Sequence, residues 1–154
     1  MKVANNNQKG FTIIEVVLVL AIAGLIFLMV FIALPALQRN QRDQQRRSDV
    51  GKMISQLTQY QTDNRGKLPA NGSQLSTFVD QYLRTGNEQF ADPDKGDYVV
   101  KLADMSAALG DQPGEMVYSL SSICGDGGTA VTGGARKVTV RTKLEGGPIY
   151  CQNN

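Results

Sequence analysis

The chain has 154 residues, enough for one ordinary domain plus an appendage, and 16 Lys and Arg against 14 Asp and Glu leave a net charge of +2. Such a balance creates no global field toward nucleic acid or an anionic membrane. Without histidine there is no Ser-His-Asp or Cys-His nucleophile and no His-ligated zinc, and two cysteines are too few for a thiolate zinc site. Gly51-Lys52 runs into Met53 and Gly66-Lys67 into Leu68, so the phosphate-loop pattern is missing as well. The expectation is a non-enzymatic protein that needs no cofactor and no metal.

Hydropathy is very uneven. Between Phe11 and Leu37 the only charged side chain is Glu15, and Val16 to Leu37 supplies 22 uncharged residues. As a helix that run spans about 33 Å, the thickness of a bilayer core. It is too long for the apolar stretch of a secretory signal, and no A-x-A-like cleavage site follows it. From Gln38 the sequence turns polar through Arg39, Arg42, Arg46 and Arg47, yet it contains no helix breaker before Gly51. Val50, Met53, Ile54, Leu57 and Tyr60 then form one helical stripe, and Asn64-Arg65-Gly66 with Pro69 marks a stop. The spacing predicts one helix from about Thr12 to about Asn64, roughly 80 Å long, with Gly24 and Pro35 as positions of a kink.

Ser73 is positioned to cap a second helix carrying Leu75, Phe78, Val79, Tyr82 and Leu83, with Gly86 ending it. Strand-like runs follow at 98–102, 116–121 and 137–144, the last with Val138, Val140 and Thr142 on one face. An α+β fold is expected, the amphipathic half of the long helix packing on a small antiparallel sheet. Cys124 and Cys151 read as a disulfide that disfavours the unfolded chain by roughly 3 to 4 kcal/mol and implies an oxidising, extracytoplasmic setting. Two buried free thiols are the alternative. Asp92, Asp94 and Asp97 raise a calcium reading, against which stand the incomplete ligand series and the turn-like Asp-Pro-Asp composition.

Glu15 needs an explanation, because a carboxylate inside an apolar helix costs about 2.5 to 3.5 kcal/mol on insertion scales and usually marks function. Lys9-Gly10-Phe11-Thr12-Ile13-Ile14-Glu15 and the apolar run after it resemble the N-terminal signature of type IV prepilins. The resemblance implies a leader over 1–10, cleavage by a prepilin peptidase between Gly10 and Phe11, and N-methylation of Phe11. It further implies a transmembrane and assembly helix over 11–38 and an extracytoplasmic pilin head over 39–154. Glu15 would then meet the N-terminal amine of a neighbouring copy, an attraction of about 4 kcal/mol at 4 Å and an effective dielectric near 20, comparable with its desolvation cost.

By the same resemblance the chain is a subunit of a type IV pilus-like filament, a helical homopolymer of itself. It is held in the inner (cytoplasmic) membrane as a single-pass precursor and then carried into an extracellular fibre by the pilus assembly machinery. A minor pilin or type II secretion pseudopilin is the near alternative, and a non-polymerising anchored adhesion domain the distant one. The loop at Asp92 to Tyr98 and the region of Cys124 and Cys151 are similar to the corresponding parts of many pilins. The family's usual proline falls about three positions before Pro35, where this chain has Ile32. A literal positive-inside count places the arginines after the apolar run in the cytoplasm; the leader and the cysteines argue for the opposite orientation. Those arginines are expected either to meet acidic neighbours in a fibre or to form a solvated collar. DNA binding along them is disfavoured, since no aromatic residues interleave.

Overall fold

A computed structural model describes residues 10–85 and 89–154. The expected helix end at Gly86 lies outside the described residues. Two compact units divide the chain, the first ending at Gln38 and the second running over Arg39–Asn154.

Helix α1 spans Ile13–Asp63 and includes Pro35. It is α-helical through both Gly24 and Pro35. Its start is set by Thr12, whose Oγ1 accepts the Glu15 N–H at 3.4 Å while its carbonyl accepts the amides of Glu15 and Val16. The part in the first unit is apolar all round and exposed, with an 18-residue window of mean hydropathy 3.2. By length and composition it can cross a membrane.

In the second unit α1 buries one stripe, Val50, Met53, Ile54 and Leu57, the positions its periodicity marks. The helix ends where Arg65 and Gly66 take positive φ values of 56° and 82°, which lets the Gly66 amide return to the Gln61 carbonyl. Helix α2 is Gly72–Phe78 and runs directly into a π-helical turn, Val79–Leu83. Its cap is Asn71 rather than Ser73: Asn71 Oδ1 accepts the Gln74 amide at 2.9 Å, and Gln74 Oε1 reaches back to the Ala70 amide at 2.8 Å. This reciprocal pair outcompetes a cap two residues later.

Eight short strands follow: β1 Ala91–Asp92, β2 Gly96–Asp97, β3 Val99–Leu102, β4 Glu115–Leu120, β5 Ser122–Cys124, β6 Ala130–Thr132, β7 Val138–Lys143 and β8 Ile149–Asn153. The main sheet has the order β3-β4-β7-β8, and two two-stranded ladders, β1-β2 and β5-β6, flank it. The sheet is mixed where an antiparallel one was expected. β4, β7 and β8 are antiparallel neighbours, but β3 runs parallel to β4 with Val99 opposite Glu115. Residues 103–114 return the chain to the start of β3's neighbour, a connection about as long as a parallel pair requires. Met116, Tyr118, Val138 and Val140 project toward α1 and close one core with Val50, Met53, Leu57, Phe78, Phe90 and Tyr98. Thr139 and Arg141, on the opposite face of β7, are also buried, so this strand is covered on both sides.

Candidate functional site

The N-terminal region presents its chemistry in the order Gly10, Phe11, Thr12 and Glu15. Gly10 is exposed and Phe11 is 86% exposed, so the bond between them stands clear of the fold. Glu15 lies in the first turn of α1, and among the described residues its carboxylate accepts one hydrogen bond, a long 3.5 Å one from Thr12 Oγ1. Among the described residues no Lys or Arg pairs with it. A carboxylate in an apolar helix, with no counter-ion among the described residues, is therefore the one charged side chain of this segment.

The arginines that follow the apolar run do not all form a solvated collar. Arg46 is fully buried, because its guanidinium is the centre of an ionic cluster. Nε and Nη2 grip Asp92 in a two-point pair at 2.6 and 2.9 Å, while Nη1 donates to Asp43 Oδ1 at 3.0 Å and Glu145 Oε1 at 2.7 Å. Arg42 adds a second two-point pair to Glu145 at 2.7 and 2.6 Å. Asp43 completes the cluster by accepting the amides of Glu145 and Gly146. Arg47 lies over the ring of Tyr150, 4.8 Å from its centroid. Three of the four arginines thus serve the second unit itself, and α1, β1 and the β7–β8 turn are held at one point.

The electrostatics follow from this geometry. Burial disfavours the Arg46 cation, but hydrogen bonds to Asp92 and Glu145 outweigh it and hold its pKa above the ordinary value. Hydrogen bonding from Arg42, aided by Arg46, holds the Glu145 carboxyl down at about 2 against burial. Burial pushes Asp92 up, yet Arg46 and the amides of Asp94 and Lys95 leave its pKa lowered overall. Asp49 goes the other way: burial raises it, and a 2.8 Å hydrogen bond from Tyr98 Oη only partly compensates.

The three acids that raise a calcium reading each have a basic partner here. Both oxygens of Asp92 face Arg46, Asp94 pairs with Lys95, and Asp97 is engaged by Arg84. The described residues hold no cluster of three or more His, Cys, Asp or Glu suited to a metal. The turn reading of Asp92-Pro93-Asp94 holds, since Asp92 Oδ1 accepts the amides of Asp94 and Lys95 at 2.9 and 3.0 Å.

Cys124 and Cys151 are joined as a disulfide with a Cα–Cα separation of 5.8 Å, and neither is a free thiol. The bond ties β5 to the edge strand β8. Sequence reasoning missed Glu145, for which nothing local gave a signal, and did not pair Asp43 with Arg46 although the two lie at helical i,i+3 spacing.

Residues 5–31 match the family model described as the prokaryotic N-terminal methylation motif, the class III signal peptide of type IV pilins. The chain carries that signal, and with its long N-terminal helix and mixed sheet it has an α+β, pilin-like layout. Proteins bearing the motif are pilin-like or pseudopilin precursors, structural rather than enzymatic, and the motif implies processing by prepilin peptidase and a membrane-anchored precursor. The match covers 27 of 154 residues and leaves the second unit outside it. No curated protein and no solved structure matches the chain.

Proposed function

We propose that this chain is the structural subunit of a type IV pilus-like filament, cut between Gly10 and Phe11 and N-methylated on Phe11. The apolar segment of α1 holds the precursor in the inner membrane and then becomes the packed core of a fibre of identical copies. The observation that carries this reading is Glu15, an acid with no cation partner among the described residues, four positions from the amine that cleavage would create. In a bundle of such helices, shifted along their axes, the acid of one copy meets the amine of another. That pairing specifies register more than net stability, because its attraction and its desolvation cost are similar. The contact is heterologous and does not close, so it propagates as a helical filament.

The disulfide supports an extracytoplasmic location for the second unit. It also supports the orientation in which Arg39, Arg42, Arg46 and Arg47 are carried outward, where Arg42 and Arg46 travel neutralised by Asp43, Asp92 and Glu145. Intact mass of subunits from sheared surface fibres is the test. A chain beginning at Phe11 with one added methyl is expected, whereas fibres built from chains that retain the leader would contradict the proposal. Absence of the chain from any fibre would favour the anchored, non-polymerising alternative.

A further inference from the structure

The second unit has a basic end that no part of the assembly reading uses. At the C-terminal end of α1 the chain places Arg65 and Lys67, and some seventy residues later the β6–β7 connection places Arg136 and Lys137 beside them. The two segments are tied together: Gln61 Nε2 and Asn154 Nδ2 both donate to the Arg136 carbonyl, at 3.3 and 3.0 Å. All four basic residues are exposed. Lys137 donates to the main-chain oxygen of Asn154 at 2.6 Å, and Arg65, Lys67 and Arg136 have no ion pair among the described residues. The neighbouring acid, Asp63, is occupied by Gln59 and Tyr82.

Two grooves open between these cations and meet at Gly66, one of about 460 Å³ beside Lys67 and one of about 440 Å³ beside Arg136 and Lys137. Their walls are rich in amides and hydroxyls, including Asn64, Gln74, Ser121, Gln61, Thr58 and Thr62. Tyr60 is the aromatic residue in them, and its ring is already packed edge-on against Phe78 and Tyr82. Cations set among amides and hydroxyls suit a ligand that is both acidic and densely hydroxylated. A nucleic acid fits less well, because no aromatic face is free to stack on a base.

We propose that this end is a binding surface for an acidic polysaccharide, its carboxylates meeting Lys67, Arg65 and Arg136 and its hydroxyls the amide-lined grooves. One site is weak, since exposed charge pairs contribute little each, but any array of copies would bind by avidity. The proposal does not depend on polymerisation and is tested on the full chain in detergent micelles. Polygalacturonate, neutral dextran and oligo(dT) are immobilised, and binding is compared for the native chain, K67E/R136E and K95E/K101E, the last altering lysines away from these grooves.

Polygalacturonate binding should be selective, should fall steeply as salt rises from about 0.05 to 0.5 M, and should weaken about tenfold in K67E/R136E but not in K95E/K101E. An unchanged thermal midpoint shows that K67E/R136E is folded, as exposed sites permit. Failure to bind polygalacturonate, equal loss in both double variants, or equal binding to dextran would overturn the proposal. Tighter binding to oligo(dT) would also overturn it and make the surface a nucleic-acid site.

Discussion

Arg46 on α1 and Asp92 at the end of β1, 46 residues apart, form a two-point ion pair in which both side chains are fully buried. A pair withdrawn from water adds little net stability over an apolar replacement, but losing one partner strands the other. Asp92→Ala leaves Arg46 with Asp43 and Glu145 yet empties its best-aligned contact, and it also removes the acceptor for the amides of Asp94 and Lys95. Because Arg46 keeps two acids, the expected loss is about 1 to 3 kcal/mol, read as a lower urea midpoint for the full chain in micelles. A midpoint within error of the native chain would show that the pair is dispensable.

Acid should loosen the same cluster. Glu145 titrates near 2 in the folded chain and near 4.5 when unfolded, and Asp92 is likewise lowered. A depressed carboxyl pKa contributes stability that is complete above the unfolded value and lost as pH falls through the folded one. The urea midpoint should therefore be level above about pH 5 and fall between pH 4.5 and 2, with raised Asp49 opposing part of the change. Glu145→Gln should flatten that slope, and an equally steep slope in this variant would reassign it to other groups.

Arg141 on β7 is 4% exposed, yet among the described residues its Nε has no hydrogen-bond partner, and its side chain makes one hydrogen bond, 3.2 Å from Nη2 to the Ala107 carbonyl. Burial lowers its pKa, and among the described residues no acid opposes the shift. An apolar side chain of similar length should be better tolerated than this cation. Arg141→Met is expected to raise the unfolding midpoint, by about 1 kcal/mol. A lower midpoint would mean that the guanidinium has a favourable role in the folded chain.

The Cys124–Cys151 bond closes the segment that carries β5 to β8. Its reduction should cost roughly 3 kcal/mol, mostly by freeing the unfolded chain. Thermal unfolding with and without reductant measures this, and denatured, unreduced protein should have no reactive thiol. A free thiol in secreted material would contradict the pairing.

Glu15→Ala removes the only charge between Phe11 and Leu37. Membrane insertion should be unchanged or improved, by less than the roughly 2.5 to 3.5 kcal/mol of a charge at a helix centre because Glu15 lies in the first turn of α1, while fibre yield should collapse because register is lost. Membrane fractionation and electron microscopy of sheared material separate the two effects, and normal fibres from this variant would remove the register argument.

Much of the fold was legible in the residues because it rests on local periodicity. Val50, Met53, Ile54 and Leu57 repeat at helical spacing and are the residues α1 buries. β7 was legible for the same reason, Val138 and Val140 alternating toward the core. β3 could not be read as parallel, since Val99 to Leu102 looks the same in either direction and only the returning segment decides its partner. The short ladder strands were too brief for any period to register.

By itself the sequence determined the leader motif, the apolar segment with its single acid, the amphipathic stripe and the presence of two cysteines, whose pairing the structure supplied. Each is written in neighbouring residues or in composition, where backbone period and side-chain type act directly. Only the tertiary structure decided that Arg42 and Arg46 are consumed by Asp43, Asp92 and Glu145, and that Arg65 and Lys67 share an end with Arg136 and Lys137. Ion pairs and surface patches depend on which distant segments the core brings together, and charge carries no period from which that meeting can be read.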